Sequence, residues 1–277
     1  AKRRGCALRF EPSMEIIAGE RRLLEVDLGK AVGERQFVLH YQPIIEAGSG
    51  RLSGFEALVR WSHPTRGLLG PETFISIAED TGLIIDIGRF VLEEACKAAM
   101  RWPAQLNIAV NISPVQVQES TLPLHIASIL GTTGLRPDRL ELELTENLLV
   151  EASTETLACI EAIRNYGVRF ALDDFGKGYC SLAYLQTFSF DRIKIDRSFI
   201  SNLSSRPACL AIIRAVAHLA ANLGMQTTAE GVETEDQAAI LSAIGVTNMQ
   251  GYLFGRPEPE ATAIARASSI AAASVTA

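Results

Sequence analysis

Short apolar runs along the sequence carry polar residues near their C-terminal ends. These residues are Glu56, Asn111, Glu143, Asp173, Asp174, Lys194, Glu230 and Gln250. From Asn111 onwards, successive runs place them 20 to 36 residues apart, which is roughly the length of one strand–helix unit. Because the C-terminal strand ends of a barrel share one face, we expect these side chains to meet there. Carboxylate and amide oxygens without histidine or cysteine favour a hard divalent cation such as Mg²⁺ or Mn²⁺ over zinc.

Two adjacent aspartates, Asp173 and Asp174, end one of these runs. They offer ligands to two cations, with one carboxylate shared. A pair of cations about 4 Å apart is typical of phosphoryl transfer, because the cations activate water and neutralise phosphate charge. The histidines form no HExxH or HD motif, which argues against a histidine-based hydrolase; they are His40, His63, His125 and His218.

Each of these residues also has a structural explanation when it is taken alone. In LELELTE, Glu143 could lie on the solvated face of an edge strand. Asn111 could be a turn residue, Lys194 a surface lysine, and the two aspartates a helix cap. In a closed barrel, helices cover the outside of the strands. The leucines of LELELTE would then face the helices, and Glu141 and Glu143 would face the barrel interior.

Eight short apolar runs alternate with longer segments of helical spacing. The predicted strands are 37–45, 52–61, 107–112, 140–144, 169–172, 192–195, 225–229 and 247–249, and the predicted helices are 71–80, 86–101, 122–133, 153–166, 207–223 and 234–244. A glycine follows several helical segments, as is typical of helices that end with a residue in the left-handed backbone conformation. These glycines are Gly134, Gly167, Gly224 and Gly245. The alternation predicts an α/β fold, a TIM-like (β/α)8 barrel.

The first two strands depart from this alternation. Residues 46–51 between them suffice for a hairpin and are too few for a crossover helix, so we predict a barrel with an antiparallel first strand. Residues 1–24 are predicted to be a linker or a remnant of an upstream domain, with an amphipathic helix over 14–28. Residues 25–262 are predicted to form the barrel domain. Residues 263–277 are predicted to be an Ala/Ser-rich tail, either a fraying helix or disordered.

Composition and charge exclude several classes of protein. A chain of 277 residues with 48% hydrophobic residues can bury a core without disulfides or a structural metal. A formal net charge of −6 argues against binding of duplex nucleic acid through a broad basic face. The cysteines form no CxxC motif, and the chain has neither a run of 18 apolar residues nor a secretion signal. We therefore expect a reducing, cytoplasmic location and no membrane segment.

Eight motifs resemble those of the EAL-domain cyclic di-GMP phosphodiesterases and follow the order of that family. They are YQPI (41–44), EALVRW (56–61), VNIS (110–113), ELTE (143–146), DDFG (173–176), KID (194–196), AEGVE (229–233) and QGYLFGRP (250–257). The resemblance covers about residues 26–260, whereas a lone Glu-Ala-Leu would indicate nothing. The resemblance implies metal-dependent hydrolysis of one phosphodiester bond of cyclic di-GMP, which gives linear pGpG.

The resemblance also implies two cations, Mg²⁺ or Mn²⁺, and a ligand set for each. The ligands of the first would be Glu56, Asn111, Glu143 and Asp173. The ligands of the second would be Asp173, which bridges both ions, Asp174 and Glu230.

Further roles follow from the same resemblance. Lys194 would help deprotonate the attacking water, with its pKa lowered by the two cations, and Gln250 would help to position that water. Glu56 and Glu230 join Lys194 as the implied catalytic groups. The residues implied to bind the substrate are Gln42, Leu58, Arg60 and Gln250, and the residue implied to anchor the DDFG loop is Glu146.

The DDFG loop departs from the common form of the family at two positions. The chain reads DDFGKGYCSL, with Lys177 and Cys180 where threonine and serine are common. Neither matches a metal ligand, so we expect the chemistry to survive. In the family this loop links metal binding to dimerisation, and the sequence leaves the strength of that coupling open. The partners implied are cyclic di-GMP, a second copy of the chain and an upstream regulatory domain. Residues 1–14 resemble the exit of a GGDEF cyclase domain but carry no cyclase motif.

Two other functions remain open from the sequence. A degenerate EAL domain could act as a cyclic di-GMP receptor. Such proteins typically lose a metal ligand or the lysine, whereas this chain keeps every implied metal ligand and the lysine. A barrel enzyme could also cleave a different phosphodiester. For the metal-dependent phosphodiesterase, the five carboxylates carry a charge that two divalent cations and Lys194 would neutralise. We therefore expect the nucleotide to bind well only with the cations present, and chelation to abolish turnover.

Overall fold

Eight strands close into a barrel in the computed structural model, which confirms the predicted fold class. The structure describes residues 12–146, 148, 153–177, 188–203 and 206–275, with 12–18 and 269–275 as backbone only. The strands are β1 (Phe37–Glu46), β2 (Leu52–His63), β3 (Gly67–Leu69), β4 (Asn107–Asn111), β5 (Leu140–Thr145), β6 (Arg169–Phe175), β7 (Arg192–Ile195), β8 (Gln226–Ala229), β9 (Asn248–Met249) and β10 (Glu258–Pro259).

The first strand closes the barrel in the predicted orientation. β1 pairs antiparallel with β2, from Phe37 opposite Trp61 to Ile45 opposite Leu52. It is also antiparallel to β9 on its other side, whereas β2 and β4 to β9 follow one another in parallel. The short strands β3 and β10 pair antiparallel with β2 and β1, respectively. Neither was predicted from the sequence, because two or three residues are too few to show a strand periodicity.

The helices are α1 (Pro12–Ala31), α2 (Pro71–Thr81), α3 (Ile84–Ala99), α4 (Pro114–Val117), α5 (Leu122–Thr133), α6 (Thr154–Arg164), α7 (Arg197–Ser201), α8 (Pro207–Asn222), α9 (Glu235–Ala243) and α10 (Glu260–Val275). The six predicted barrel helices agree with α2, α3, α5, α6, α8 and α9 to within two residues at each end. The four glycines predicted to end helices all have positive φ. The Ser153 and Thr234 side chains cap α6 and α9 by accepting backbone N–H groups.

Side chains of β5 point alternately to the outer and the inner face of the barrel wall. Leu140, Leu142 and Leu144 are almost completely buried in the hydrophobic core. Glu141 and Glu143, which alternate with them, point inward and meet Arg192 and Lys194 of β7. The barrel interpretation of LELELTE is therefore confirmed over the edge-strand alternative.

A buried polar layer lies inside the barrel, below the C-terminal strand ends that form the barrel mouth. Arg192 Nε donates to both oxygens of Glu141, at 2.9 and 3.0 Å, and Arg192 Nη1 donates to Thr228 Oγ1 at 3.0 Å. Because side chains alternate along a strand, Lys194 projects from the same face of β7 as Arg192. This lower layer was not predicted, although RIKI and LELEL show the same inward alternation.

Both ends of the barrel domain are helical. α1 continues beyond its predicted end to Ala31, and its Leu24 and Leu28 are buried; the part of the predicted 1–24 segment before Pro12 lies outside the described residues. α10 begins at Glu260, so the predicted start of the tail at 263 falls inside it. Buried Ala263 and Ala267 show that its first turns are packed rather than frayed. Among the helices described, none combines the length and apolarity needed to cross a bilayer.

Candidate active site

Lys194 lies at the centre of the barrel mouth and contacts four carboxylates. Its Nζ is 2.6 Å from Glu143 Oε2 and 2.8 Å from Glu230 Oε1. Asp173 Oδ1 follows at 3.2 Å and Glu56 Oε2 at 3.6 Å. Only 1% of the lysine side chain is exposed, so the surface-lysine explanation of Lys194 is wrong.

Strand pairing explains why these groups meet. Asn111 pairs with Glu143 across β4 and β5, and Gln42 pairs with Glu56 across β1 and β2. The parallel strands all end at the same face of the barrel, where their last inward-facing residues converge. Residues far apart in the chain therefore share one pocket, as the sequence spacing predicts.

Glu56 is held by two amide side chains besides Lys194. Asn111 Nδ2 donates to Glu56 Oε1 at 2.7 Å, and Gln250 Nε2 donates to Glu56 Oε2 at 2.6 Å. Gln250 Nε2 also donates to Gln42 Oε1 at 3.0 Å, and Gln42 Nε2 donates to the Gly255 carbonyl at 3.1 Å. This network fixes Glu56 and joins the predicted substrate contact Gln42 to the carboxylate group.

A second group of carboxylates lies beside the first. Asp173, Asp174 and Glu230 each offer an oxygen, and these three oxygens lie within 4.8 Å of one another. Asp174 has φ of 56°, in the left-handed region, which aspartate adopts more readily than most residues. Its backbone N–H donates to Asp173 Oδ1 at 2.9 Å. The backbone at the end of β6 thus turns two successive carboxylates towards one place.

Burial and mutual repulsion change the pKa values of these carboxyl groups. Burial and the neighbouring Glu56 charge raise the pKa of Glu143 well above its usual value. Burial raises the pKa of Glu230 to about 8 and also raises that of Asp173. Burial alone would raise the pKa of Glu56 as well, but the Lys194 charge and two hydrogen bonds hold it below its usual value.

Burial and the neighbouring charges act on the pKa of Lys194 in opposite directions. Burial alone would lower the pKa of Lys194, but the charges of Asp173, Glu143 and the other carboxylates raise it well above its usual value. The lowered pKa expected from the resemblance is therefore not a property of the protein groups by themselves. It requires the negative charge around Lys194 to be taken up by something else.

The donor set fits divalent cations. Glu143 Oε1 and Gln250 Oε1 are buried, and neither has a hydrogen-bond partner among the described residues. One ammonium group serves four carboxylates, so negative charge remains uncompensated in a buried site, which is costly. Oxygen ligands of this kind suit a hard cation. The acidic cluster of Asp173, Asp174 and Glu230 could therefore bind a metal ion.

The raised pKa values predict a pH-dependent stability of the cation-free protein. Glu230, Glu143 and Asp173 hold protons that the unfolded chain releases near pH 4 to 4.5. Their contribution to stability is fully present below that pH and is lost as the pH rises towards about 8. With a chelator present, we expect the melting temperature to fall by roughly 2–4 °C or more across this window. A loss of about 1 kcal/mol produces a shift of that size in a domain of this length.

Saturating Mn²⁺ or Mg²⁺ should flatten this profile, because bound cations favour the ionised carboxylates. The Glu230→Gln variant should show a smaller decline in chelator than the unchanged protein. Glu56, whose pKa is lowered, stabilises above its unfolded pKa and so acts only at the acidic end. Melting temperatures that stay constant between pH 5 and 8 in chelator would contradict the prediction.

The loop after β6 is held from two sides. Glu146 Oε2 accepts the backbone N–H of Gly176 at 3.2 Å, which places Glu146 where a loop anchor is expected. Lys177 Nζ lies 2.7 Å from Asp174 Oδ1 and 2.8 Å from Asp196 Oδ2. Lys177 stands out in the sequence as a departure from the common form of the loop, but these two ion pairs were not predicted. Cys180 lies outside the described residues.

Two cavities lie on either side of Leu58. One, of about 200 Å³, is lined by Gln42, Glu56, Glu230 and Gln250 among others. The other, of about 380 Å³ and largely apolar, lies against Asn111 and the helices α2 and α3. Arg60 is half-buried further along β2, where its Nη1 donates to the Val59 carbonyl at 2.9 Å.

Several residues that line the smaller cavity were not predicted from the sequence. They are Arg197, Glu233 and Tyr252. Each lies within or directly beside a motif already recognised: KID, AEGVE and QGYLFGRP. Arg256 stacks over the Tyr252 ring at 4.0 Å from its centroid. Position relative to these motifs was the signal that could have identified them.

Comparison with known sequences finds relatives that match most of this chain. The family model described as EAL domain matches residues 25–257. MucR of Pseudomonas aeruginosa, a bifunctional diguanylate cyclase/cyclic di-GMP phosphodiesterase, is 42% identical over 254 residues, which are 90% of this chain and 37% of MucR. The cyclic di-GMP phosphodiesterase PdeR of Escherichia coli is 37% identical over 253 residues, 90% of this chain and 38% of PdeR. The chain thus spans about a third of the length of these curated relatives.

Solved structures show the same architecture. The PaMucR phosphodiesterase in complex with c-di-GMP matches with a TM-score of 0.83 and 41% identity, over 87% of this chain and 99% of that chain. An EAL domain protein from Listeria monocytogenes matches with a TM-score of 0.80 and 31% identity, over 88% of this chain and 97% of that one. By the family match and these similarities, the chain belongs to the EAL domain family.

Proposed function

We propose that this chain hydrolyses cyclic di-GMP to linear pGpG with the help of two divalent cations, Mg²⁺ or Mn²⁺. The observation that carries the proposal is the buried Lys194 among four carboxylates at the barrel mouth. The activities for which MucR and PdeR are named support the substrate. The c-di-GMP complexes of PaMucR and of BlrP1 from Klebsiella pneumoniae, the latter with calcium, support a nucleotide site in this fold.

The cation ligands fall into two sets that share Asp173. The first set is Glu56, Asn111, Glu143 and Asp173, and the second is Asp173, Asp174 and Glu230. To serve as a ligand, Asn111 has to turn its amide oxygen inward, since its Nδ2 now donates to Glu56. Bound ions supply a lower pKa for water and positive charge beside the phosphate oxygens.

The remaining groups bind and orient. Lys194 Nζ hydrogen-bonds the attacking water and takes part in its deprotonation, and Gln250, whose Oε1 has no partner among the described residues, helps to hold that water. Gln42 and Leu58 line the cavity beside the carboxylates and contact the nucleotide. Arg60 offers its guanidinium to a phosphate. Glu146 keeps the end of β6 in position through Gly176.

The test is incubation of cyclic di-GMP with the protein and Mn²⁺ or Mg²⁺, followed by chromatography of the products. We expect pGpG to form with the unchanged protein and to be lost with chelator or with Glu56→Ala. Absence of pGpG in all samples would contradict the proposal. Tight binding of unchanged cyclic di-GMP over hours would instead indicate a receptor. Strong competition by a generic phosphodiester would indicate a different substrate.

We also infer that the chain acts as a homodimer within a longer cytoplasmic protein that has an upstream regulatory domain. The greater length of its relatives supports the additional domain. The free, buried thiols of Cys96, Cys159 and Cys209 agree with a reducing compartment. Light scattering on the purified chain tests the dimer, for which we expect twice the 30.0 kDa mass of one copy; a mass of one copy at all concentrations would contradict it.

A further inference from the structure

Lys177 is poised between two carboxylates at the edge of the candidate cation site. Its Nζ lies 2.7 Å from Asp174 Oδ1 and 2.8 Å from Asp196 Oδ2. The Lys177 side chain is about half exposed, whereas that of Asp196 is 2% exposed. Asp196 is fixed independently, because its Oδ1 accepts the Ser198 N–H at 2.9 Å at the start of α7. Lys177 is thus the exposed member of this group, and Asp196 is the buried one that a backbone hydrogen bond also holds.

The contact involves a carboxylate that the second cation needs. Asp174, Asp173 and Glu230 bring their oxygens within 4.8 Å of one another. Lys194 contacts Asp173 and Glu230, and Lys177 contacts Asp174. All three carboxylates therefore already have an ammonium partner in the cation-free protein. A divalent ion that binds Asp174 has to compete with Lys177 and then lies near its positive charge.

We propose that Lys177 is a positioning residue that sets the affinity of the second cation by competing with it for Asp174. When the ion binds, Lys177 leaves Asp174 and stays paired with Asp196 alone. The proposal rests on the cation assignment of the proposed function. It makes occupancy of the second position depend on a residue that is not itself a ligand.

The size of the effect follows from the two contributions. An exposed ion pair is weak, so displacement of Lys177 alone costs little, whereas repulsion between an ammonium and a divalent ion a few ångströms apart adds to it. We expect removal of the charge to tighten binding of the second ion roughly tenfold. The first ion, held by Glu56, Asn111, Glu143 and Asp173, should change much less.

The test is a titration of the nucleotide-free protein with Mn²⁺, followed by electron paramagnetic resonance. This method counts bound ions and distinguishes a single Mn²⁺ from a coupled pair. In Lys177→Met the coupled signal should arise at about one tenth of the Mn²⁺ concentration that the unchanged protein needs. Lys177→Arg keeps the charge and should retain the unchanged concentration dependence. Lys97→Met, which removes a lysine from the exposed face of α3, controls for net charge.

A second variant should shift the Mn²⁺ concentration needed for the coupled signal in the opposite direction. Asp196→Asn keeps an oxygen to cap α7 but removes the alternative partner of Lys177, so the coupled signal should require more Mn²⁺. In the Lys177→Met background the same change should have a much smaller effect. Equal shifts of both ions, no shift in Lys177→Met, or binding of fewer than two ions by every variant would overturn the proposal. Two-ion binding without turnover of cyclic di-GMP would contradict only the proposed function.

Discussion

Replacement of Lys194 by methionine is expected to destabilise the cation-free protein by about 3–5 kcal/mol, the cost of leaving buried charges without their partner. Four carboxylates lie within 3.6 Å of this ammonium group, and methionine offers none of them a hydrogen bond. Urea unfolding in chelator at pH 8 measures the loss. It should shrink at lower pH, where the carboxyl groups can take up protons, and in Mn²⁺, which replaces the missing positive charge.

Turnover of cyclic di-GMP by Lys194→Met should fall by roughly 10²–10⁴-fold even with saturating Mn²⁺, the range typical of a lost proton-transfer group. Lys97→Met is the matched control for stability. Lys97 also pairs with two carboxylates, Glu93 at 2.7 Å and Glu94 at 2.8 Å, but on the surface. Its removal should cost about 0.5 kcal/mol. If Lys194→Met and Lys97→Met were equally stable in chelator, the buried carboxylate group would not depend on Lys194.

The two adjacent aspartates are expected to differ in what their loss removes. Asp173 contacts Lys194 and is 13% exposed, whereas Asp174 is 39% exposed. As the shared ligand, Asp173→Asn should lose both cations and lower turnover by roughly 10³-fold, equivalent to several kcal/mol of transition-state stabilisation. Asp174→Asn should lose one cation and keep the other. Elemental analysis after dialysis against Mn²⁺, combined with turnover of cyclic di-GMP, checks both expectations.

Asparagine is the suitable replacement at position 174, because it tolerates the left-handed backbone that Asp174 adopts. A structural collapse of the β6 end is therefore not expected in that variant. Asp138→Asn, a change in an exposed pair with Arg136, controls for the loss of a carboxylate elsewhere. Equal cation loss in Asp173→Asn and Asp174→Asn would contradict the shared-ligand assignment of Asp173.

Residue type and spacing were enough to predict the barrel and the members of its mouth. Inward-facing side chains recur with the period of a strand, and each strand end is marked by a polar residue such as Asn111 or Glu143. The short segment 46–51 predicted the hairpin, because no helix fits between β1 and β2. These features are local, so they can be read along the chain. The short strands β3 and β10 were not predicted, because two or three residues are too few to form such a local pattern.

The interactions of the site depended on the tertiary structure. The contact of Lys194 with Glu143 joins residues 51 positions apart, and its distance is set by the strand register and barrel closure. The direction of the Lys194 pKa, the Arg192–Glu141 layer and the two pairs of Lys177 follow from such distances. The sequence by itself determined which charged groups face the barrel mouth, because alternation and strand ends are local properties. Only the fold decided which charge meets which, because Coulomb energies depend on separation in space and on burial.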